Sequence, residues 1–373
     1  MIRVTETILY VRSGKVSPSS NYRLLQYSEQ MGDTVLSRPL SSEFLYRKHA
    51  NAKAKGQKLF WYGLYYLMIQ LNITRFMISD MIKKPKCIVV QRALSPKLIF
   101  PWNMLLMNIV FSKCGNLIWD FDDEIFNSKE ITDFEAVLLT RFSRRIVVTS
   151  DFLRSRIDEK YCGKVELMPT TDGEFAENDL GEMLRERNKT YDSQVELLWL
   201  ATSPSLPHLD KIKEELDEIA ASLEHISGKK LILHVVCNKP FEFSPKHLVL
   251  DNIVWTREIA RDMVRRSHIG IMPLTNTISS KGKGGFKIIQ YMSAGMPAVV
   301  SAIGYNNEIV IDGETGFLID DLENTAGWKR GILDLSCDWK TYEKFCYASR
   351  IEWNRRFSFN DNLNRWKMLI KGV

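Results

Sequence analysis

Short apolar runs recur along the first half of the chain, and helical spacing follows each of them. Ile8-Leu9-Tyr10-Val11, Cys87-Ile88-Val89-Val90, Leu117-Ile118-Trp119, Ile146-Val147-Val148 and Val165-Glu166-Leu167-Met168 read as strands, and residues 21–30 as the first helix. Strands that are apolar on both sides, rather than alternating, belong to a parallel sheet covered by helices on both faces. Residues 169–193 interrupt this rhythm with Thr170, Thr171, the Asp172-Gly173 turn and a charged run over 182–189. The pattern puts a hinge there. A second series starts at Val195-Glu196-Leu197-Leu198-Trp199-Leu200 and continues with a helix over 209–226, strands over 231–236 and 253–255, a helix over 257–266 and a strand over 269–272. The expected fold is α/β, with Rossmann-like domains over 1–170 and 194–355, a linker over 171–193 and a terminal helix within 356–373.

The stretch from Lys281 to Leu318 says most about chemistry. Gly282, Gly284 and Gly285 open an apolar helix that ends at Gly295 and runs into the buried strand Met296-Pro297-Ala298-Val299-Val300. The loop Gly304-Tyr305-Asn306-Asn307-Glu308, the Asp312-Gly313 turn and Thr315-Gly316-Phe317-Leu318 come next. Where that helix begins, backbone N–H groups around Gly284 and Gly285 can converge with Lys283 and Lys287 on an anion, and a diphosphate is the natural guest. The plainer reading is an ordinary helix N-terminus with solvated lysines. Thr202 and Ser203, after the first strand of the second domain, either add hydroxyl contacts to the same phosphates or cap a helix ahead of Leu206-Pro207.

Composition narrows the class. At 373 residues, 45% hydrophobic and 26% charged, the chain suits a two-domain enzyme rather than a disordered segment. Its six cysteines form no C-x-x-C pair and its six histidines no metal-ligand spacing, so a reduced, cytoplasmic protein without a metal site is expected. Met1-Ile2-Arg3-Val4-Thr5-Glu6 carries an early acid and no apolar core, which argues against a secretory signal. Charge is uneven: between Phe44 and Lys113, twelve Lys and Arg face one acid, Asp80. Within that stretch residues 59–71 are aromatic and apolar nearly all round, over roughly 20 Å of helix, short of the ~30 Å needed to span a bilayer. A basic, aromatic, amphipathic helix reads as one that rests on anionic lipid headgroups, or else as a core helix with lysines at its ends. No helix-turn-helix, zinc motif or aromatic strand platform accompanies the charge, so nucleic acid is not expected as a partner.

Asp120-Phe121-Asp122-Asp123-Glu124 follows a strand and is compatible with several chemistries: a metal-binding D-x-D, an aspartyl nucleophile as in haloacid dehalogenase-like phosphatases, or acceptor-side carboxylates. Lys287-Ile288-Ile289-Gln290-Tyr291-Met292-Ser293-Ala294-Gly295-Met296-Pro297 is the most specific segment. With Ser19-Ser20-Asn21-Tyr22-Arg23, Asp120-Phe121-Asp122-Asp123, Thr149-Ser150-Asp151-Phe152-Leu153, Met168-Pro169-Thr170 and Gly270-Ile271-Met272-Pro273-Leu274 in order, the chain resembles the retaining group-1 (family 4) glycosyltransferases of GT-B fold, in a bacterial polysaccharide-biosynthesis subgroup.

That resemblance implies two Rossmann-like domains facing a central cleft, a nucleoside diphosphate sugar as donor and no essential metal or other cofactor. It also implies a glycan acceptor, lipid-linked and met at the inner face of the cell membrane. It makes Lys283, Gly284, Gly285, Lys287, Thr202 and Ser203 the donor site and places Gln290 where the wider family often has a glutamate for the ribose. Asp122 and Asp123 are then the carboxylates that bind or deprotonate the acceptor hydroxyl. Asn21 and Arg23 reach a donor or acceptor phosphate, unless Arg23 forms a surface salt bridge. Gly282 stands where the family usually carries a second glutamate, so both members of that pair are missing. This departure motivates an alternative, a degraded binding subunit; a phosphatase built on Asp120 and Asp122 is another.

Overall fold

The protein is described by a computed structural model over residues 7–32, 34–52 and 54–372, with residues 50 and 51 in backbone only. The expectation made on Met1 to Glu6 lies outside the described residues. The chain divides into two compact units, one formed by Met1–Thr170 with Asn360–Val373 and the other by Thr171–Phe359.

Unit 1 is built on the strands β1 (Thr7–Val11), β2 (Val35–Pro39), β3 (Cys87–Gln91), β4 (Asn116–Phe121), β5 (Arg145–Val148) and β6 (Val165–Leu167). They form one parallel sheet in the order β2-β1-β3-β4-β5-β6. Every residue of β1, β3 and β4 is buried, as expected of strands covered on both faces. The sequence pattern does not predict β2: Val-Leu-Ser-Arg-Pro is a half-exposed edge strand, and edge strands lack the apolar run that marks central ones.

Unit 2 holds β7 (Gln194–Leu200), β8 (Lys230–Cys237), β9 (Val249–Val254), β10 (Ile269–Met272), β11 (Ala298–Ser301) and β12 (Gly316–Ile319). Its sheet is also parallel, in the order β12-β11-β10-β7-β8-β9. In each sheet the first strand has later strands on both sides, so the chain winds outward in two directions. The crevices beyond the carboxyl ends of β1 and β3, and of β7 and β10, are the switch points where such sheets bind ligands.

The stretch expected as a linker is folded into unit 2. Its helix, Leu180–Tyr191, buries Leu180, Met183, Leu184 and Arg187. The Arg187 guanidinium donates to the carbonyls of Ala294 (2.9 Å) and Gly295 (3.3 Å), and to those of Val264 (3.2 Å) and Arg265 (3.0 Å). One cation thus closes the carboxyl ends of two helices, where the partial charge is negative. The charged composition that suggests a linker is the composition of this helix's outer side. The last helix, Phe359–Lys371, serves unit 1: Asn362 donates to the Pro169 carbonyl (2.8 Å), Asn116 to that of Leu369 (2.8 Å), and Trp366 is buried.

The aromatic run of the N-terminal half is part of a far longer helix, Lys55–Lys83, about 43 Å at 1.5 Å per residue. Its length therefore does not exclude a crossing. Its composition does: among the described residues no helix is long and apolar enough to cross a membrane.

Candidate active site

At the switch point of unit 2 the loops after β7, β10 and β11 are tied together by side chains. His208, on the short helix Leu206–Asp210 after β7, accepts at Nδ1 from the Thr275 N–H (3.2 Å) and lies 3.0 Å from the Thr275 hydroxyl, beyond the end of β10. The Ser301 hydroxyl, ending β11, accepts from the Leu274 N–H (2.9 Å). Burial, and then the positive charge of Lys283, push the His208 pKa below its ordinary value, so the ring is a neutral acceptor that stands within electrostatic reach of that lysine. Nothing in the histidine spacing signals this role; it follows from position alone.

The glycine and lysine segment forms two helices rather than one. Ile278–Lys281 is capped by Thr277, the chain turns through Gly282, and Phe286–Ser293 starts at Gly285 with φ 61°. A Cβ on Gly285 would sit 2.1 Å from Ile309 Cδ1, and one on Gly304 (φ 57°) 2.4 Å from the Lys281 carbonyl oxygen. Both glycines are thus required by close approach: the loop after β11 lies against the backbone that carries the lysines. Gly270 does the same for the helix body, since a Cβ there would stand 2.2 Å from the Tyr291 ring. Tyr291 in turn donates to the Leu198 carbonyl (3.3 Å) and accepts from the Leu200 N–H (3.2 Å), which pins the helix across β10 and β7.

Lys283 and Lys287 are partly buried and Lys281 is exposed. Lys287 Nζ donates to Gln290 Oε1 (3.3 Å), and Gln290 Nε2 donates to Asp172 Oδ2 (2.7 Å). Gln290 is buried, and its amide bridges Lys287 to the Asp172 carboxylate, which reaches it from the start of unit 2. Burial pushes the Lys287 pKa down to about 8, against the pull of Asp172, and burial raises that of Asp172. Ser203 is placed by Asn238, after β8, whose Oδ1 accepts from the Ser203 N–H (2.8 Å) and whose Nδ2 donates to its hydroxyl (3.3 Å). Thr202 is exposed and its side chain caps no helix.

Unit 1 has its own constellation at its own switch point. Arg92, next after β3, holds φ at 56°, a conformation uncommon outside glycine. Its N–H donates to the Asp120 carbonyl (2.6 Å), and its carbonyl accepts from Trp119 Nε1 (2.7 Å). Held so, the guanidinium pairs with Asp122 through Nε (2.8 Å), with Asp123, and with Glu130 (3.4 Å). Arg12, next after β1, pairs with Glu130 from the other side (3.2 Å) and donates to the Ala93 carbonyl (3.3 Å). Of the two aspartates Asp122 is buried, whereas the Asp123 side chain keeps 44% of its surface exposed. The turn after β4 is capped by Glu124, which accepts from the N–H groups of Phe126 (3.2 Å) and Asn127 (2.9 Å).

Arg23 and Asn21 are both buried, on a π-helical turn over Asn21–Leu25. Arg23 is neither a surface salt bridge nor turned to a phosphate. Its guanidinium pairs with Asp120 and donates to the Met168 carbonyl (2.8 Å) and Thr170 Oγ1 (3.3 Å), because a buried charge must be fully matched. Asp120, wholly buried in that pair, is closed off as a nucleophile, which removes the basis of the phosphatase reading.

Residues 205–338 match the family described as "Glycosyl transferases group 1". No curated protein matches the chain. Among solved structures, a glycosyltransferase from Rickettsia africae ESF-5 is similar over 99% of this chain and 98% of its own, with 14% identity and a TM-score of 0.63. Anabaena Alr3699/HepE in complex with UDP is similar over 99% of this chain and 100% of its own, with 12% identity and a TM-score of 0.66. WaaG, a glycosyltransferase involved in lipopolysaccharide biosynthesis, is similar over 98% and 100%, with 11% identity and a TM-score of 0.59. The fold shared with these proteins is GT-B, two domains each built on a parallel sheet flanked by helices.

Proposed function

We propose that this chain, which carries a group 1 glycosyltransferase domain on a GT-B fold, is a retaining enzyme that moves a sugar from a nucleoside diphosphate sugar to a lipid-linked glycan in cell-surface polysaccharide synthesis. The observation that carries the donor half of this reading is the start of the helix Phe286–Ser293. Lys283 precedes that helix and Lys287 lies in its first turn, on the chain that follows β10 and inside the segment that matches the family. The first turn is the positive end of the helix dipole, and two lysines beside it in the chain favour the charge that grows on a departing diphosphate.

In this mechanism the acceptor hydroxyl attacks the face that the diphosphate leaves, and the leaving phosphate takes the proton. No carboxylate nucleophile is needed, so Gly282 is compatible with turnover. Asp123 is the carboxylate suited to bind the acceptor hydroxyl, with Asp122 and Glu130 fixing the Arg92 clamp behind it. We expect no essential metal, because Lys283, Lys287 and the helix N-terminus supply the positive charge that a divalent cation would bring. The protein would work in the cytoplasm, peripheral on the inner face of the cell membrane.

The engaged amide of Gln290 favours a second reading, a binding subunit that holds nucleotide without turnover. Thermal-shift titration with UDP and GDP, each with and without EDTA, tests the donor site, and release of nucleotide from the sugar conjugate separates the two readings. Metal-independent stabilisation by one nucleotide, followed by turnover, is expected; no response to either nucleotide would remove the donor assignment.

A further inference from the structure

We propose that the outer face of the helix Lys55–Lys83, together with its neighbour Pro101–Lys113, docks in the plane of an anionic bilayer. The inference rests on the lipid-linked acceptor proposed above and names the surface that would meet the lipid.

Helices on a folded domain normally turn a polar face to water. This one does the reverse. Tyr65, Ile69, Ile73 and Met77 face the core of unit 1, while Phe60, Leu67, Leu71, Ile78 and Ile82 recur at helical spacing on the outside. Phe60 is 63% exposed, Leu71 53% and Ile82 76%, so apolar surface runs along nearly the whole length of the helix. The second helix extends it. Trp102 Nε1 donates to Thr74 Oγ1 (3.0 Å) and Thr74 to Asn103 Oδ1 (2.7 Å), which sets the helices side by side with Trp102 and Leu105 also exposed. A contiguous apolar surface on this scale marks an interaction site.

Charge selects the occupant. Lys55, Lys58, Arg75, Lys83, Lys84 and Lys113 are exposed around the apolar stripe. The one acid between Phe44 and Lys113, Asp80, is buried and pairs with Arg38 while accepting from Tyr10, so it offsets none of the surface charge. Two copies of this face would oppose cation to cation across an interface without carboxylates, which disfavours a homodimer. Nucleic acid would satisfy the lysines and leave the aliphatic stripe in water. An anionic bilayer satisfies both, taking the stripe ~5–10 Å into the headgroup boundary while the lysines remain at the phosphates.

The test is co-sedimentation of the full chain with vesicles of phosphatidylcholine alone and of phosphatidylcholine with about one-third phosphatidylglycerol, at low and high salt. Binding is expected only with the anionic lipid, weaker in high salt, and reduced at least tenfold by Leu71→Asp combined with Ile78→Asp. Both positions are exposed, and an unchanged UDP-induced thermal shift would show that the variant is folded. Lys55→Glu with Lys58→Glu should remove part of the salt-sensitive binding. Vesicle binding that survives loss of UDP binding in Lys287→Ala would support the docking face separately from the donor site. Equal binding of the aspartate variant and the wild type, or equal partitioning to neutral and anionic vesicles, would overturn the proposal. So would a solution dimer that the aspartate variant dissociates without any vesicle binding by the wild type.

Discussion

Lys287 is the side chain on which the donor reading turns. Its pKa, held down to about 8 by burial, puts its charge within reach of ordinary buffers. A diphosphate favours the ammonium form, so nucleotide affinity should be full below pH 8 and fall as the pH rises above it. Stability has the opposite sign: an unfolded lysine titrates near ~10.4, so between about pH 8 and 10 the unfolded chain binds the extra proton and the native state gains as pH increases. Lys287→Ala should weaken nucleotide binding roughly ten- to a hundredfold and flatten that pH profile, as read by calorimetric titration. A wild-type affinity independent of pH would refute the assignment. In unit 1, Asp123→Asn should lower transfer while sparing nucleotide affinity. Arg92→Ala should in addition destabilise the fold by about 3 kcal/mol, because it strands the buried Asp122 carboxylate. Urea unfolding of the two variants separates these effects, and an Asp123→Asn that unfolds as easily as Arg92→Ala would make Asp123 structural. The sequence points to Asp122 and Asp123 because paired acids after a strand form a recognisable motif. Arg12 and Arg92 obey the same positional rule, but a single arginine after a strand carries no signature, and their role arises only when β1, β3 and β4 become neighbours.

Among the elements, the helix Phe286–Ser293 depends on glycine at its first and last turns, with φ 61° at both Gly285 and Gly295. Gly285→Ala should cost ~2 kcal/mol or more from the left-handed conformation and from crowding Ile309, and it should lower nucleotide affinity by tilting the first turn. Thermal unfolding and UDP titration measure the two effects, and full stability in this variant would mean that the turn can relax. Gly282, by contrast, has φ −86°, open to any residue, so its identity there is not imposed by the backbone. The glycine spacing was therefore legible as a turn of special conformation. That it divides two helices, rather than opening one, was not, because the short helix Ile278–Lys281 is held by a Thr277 cap that composition does not advertise. The helix Lys55–Lys83 was legible as apolar and basic. Its extent was hidden because Asn72, a polar residue just past the apolar run, bonds to a group of the folded domain, the Leu40 carbonyl (3.0 Å).

For the whole molecule, the path of the chain decides what each unit depends on. The helix Phe359–Lys371 completes unit 1, burying Leu363, Trp366 and Leu369, whereas every donor-side residue lies in unit 2. Trp366→Ala should cost ~3–5 kcal/mol and lower the calorimetric transition, with UDP affinity little changed at temperatures where the variant is folded. A parallel fall in UDP affinity would show that unit 2 leans on this helix.

What the sequence by itself determined is the class of the fold and the places where chemistry can occur. Apolar runs separated by helical spacing permit little other than doubly wound parallel sheets, and such sheets bind at the carboxyl ends of their strands. Only the tertiary structure decided which polar groups are committed and which remain to act. The Arg23–Asp120 pair, the Gln290 bridge from Lys287 to Asp172 and the Arg187 closure of two helices join residues 97, 118 and 107 positions apart. Such pairings depend on burial, which forces each charge to find a partner in three dimensions, and local spacing along a chain does not encode that search.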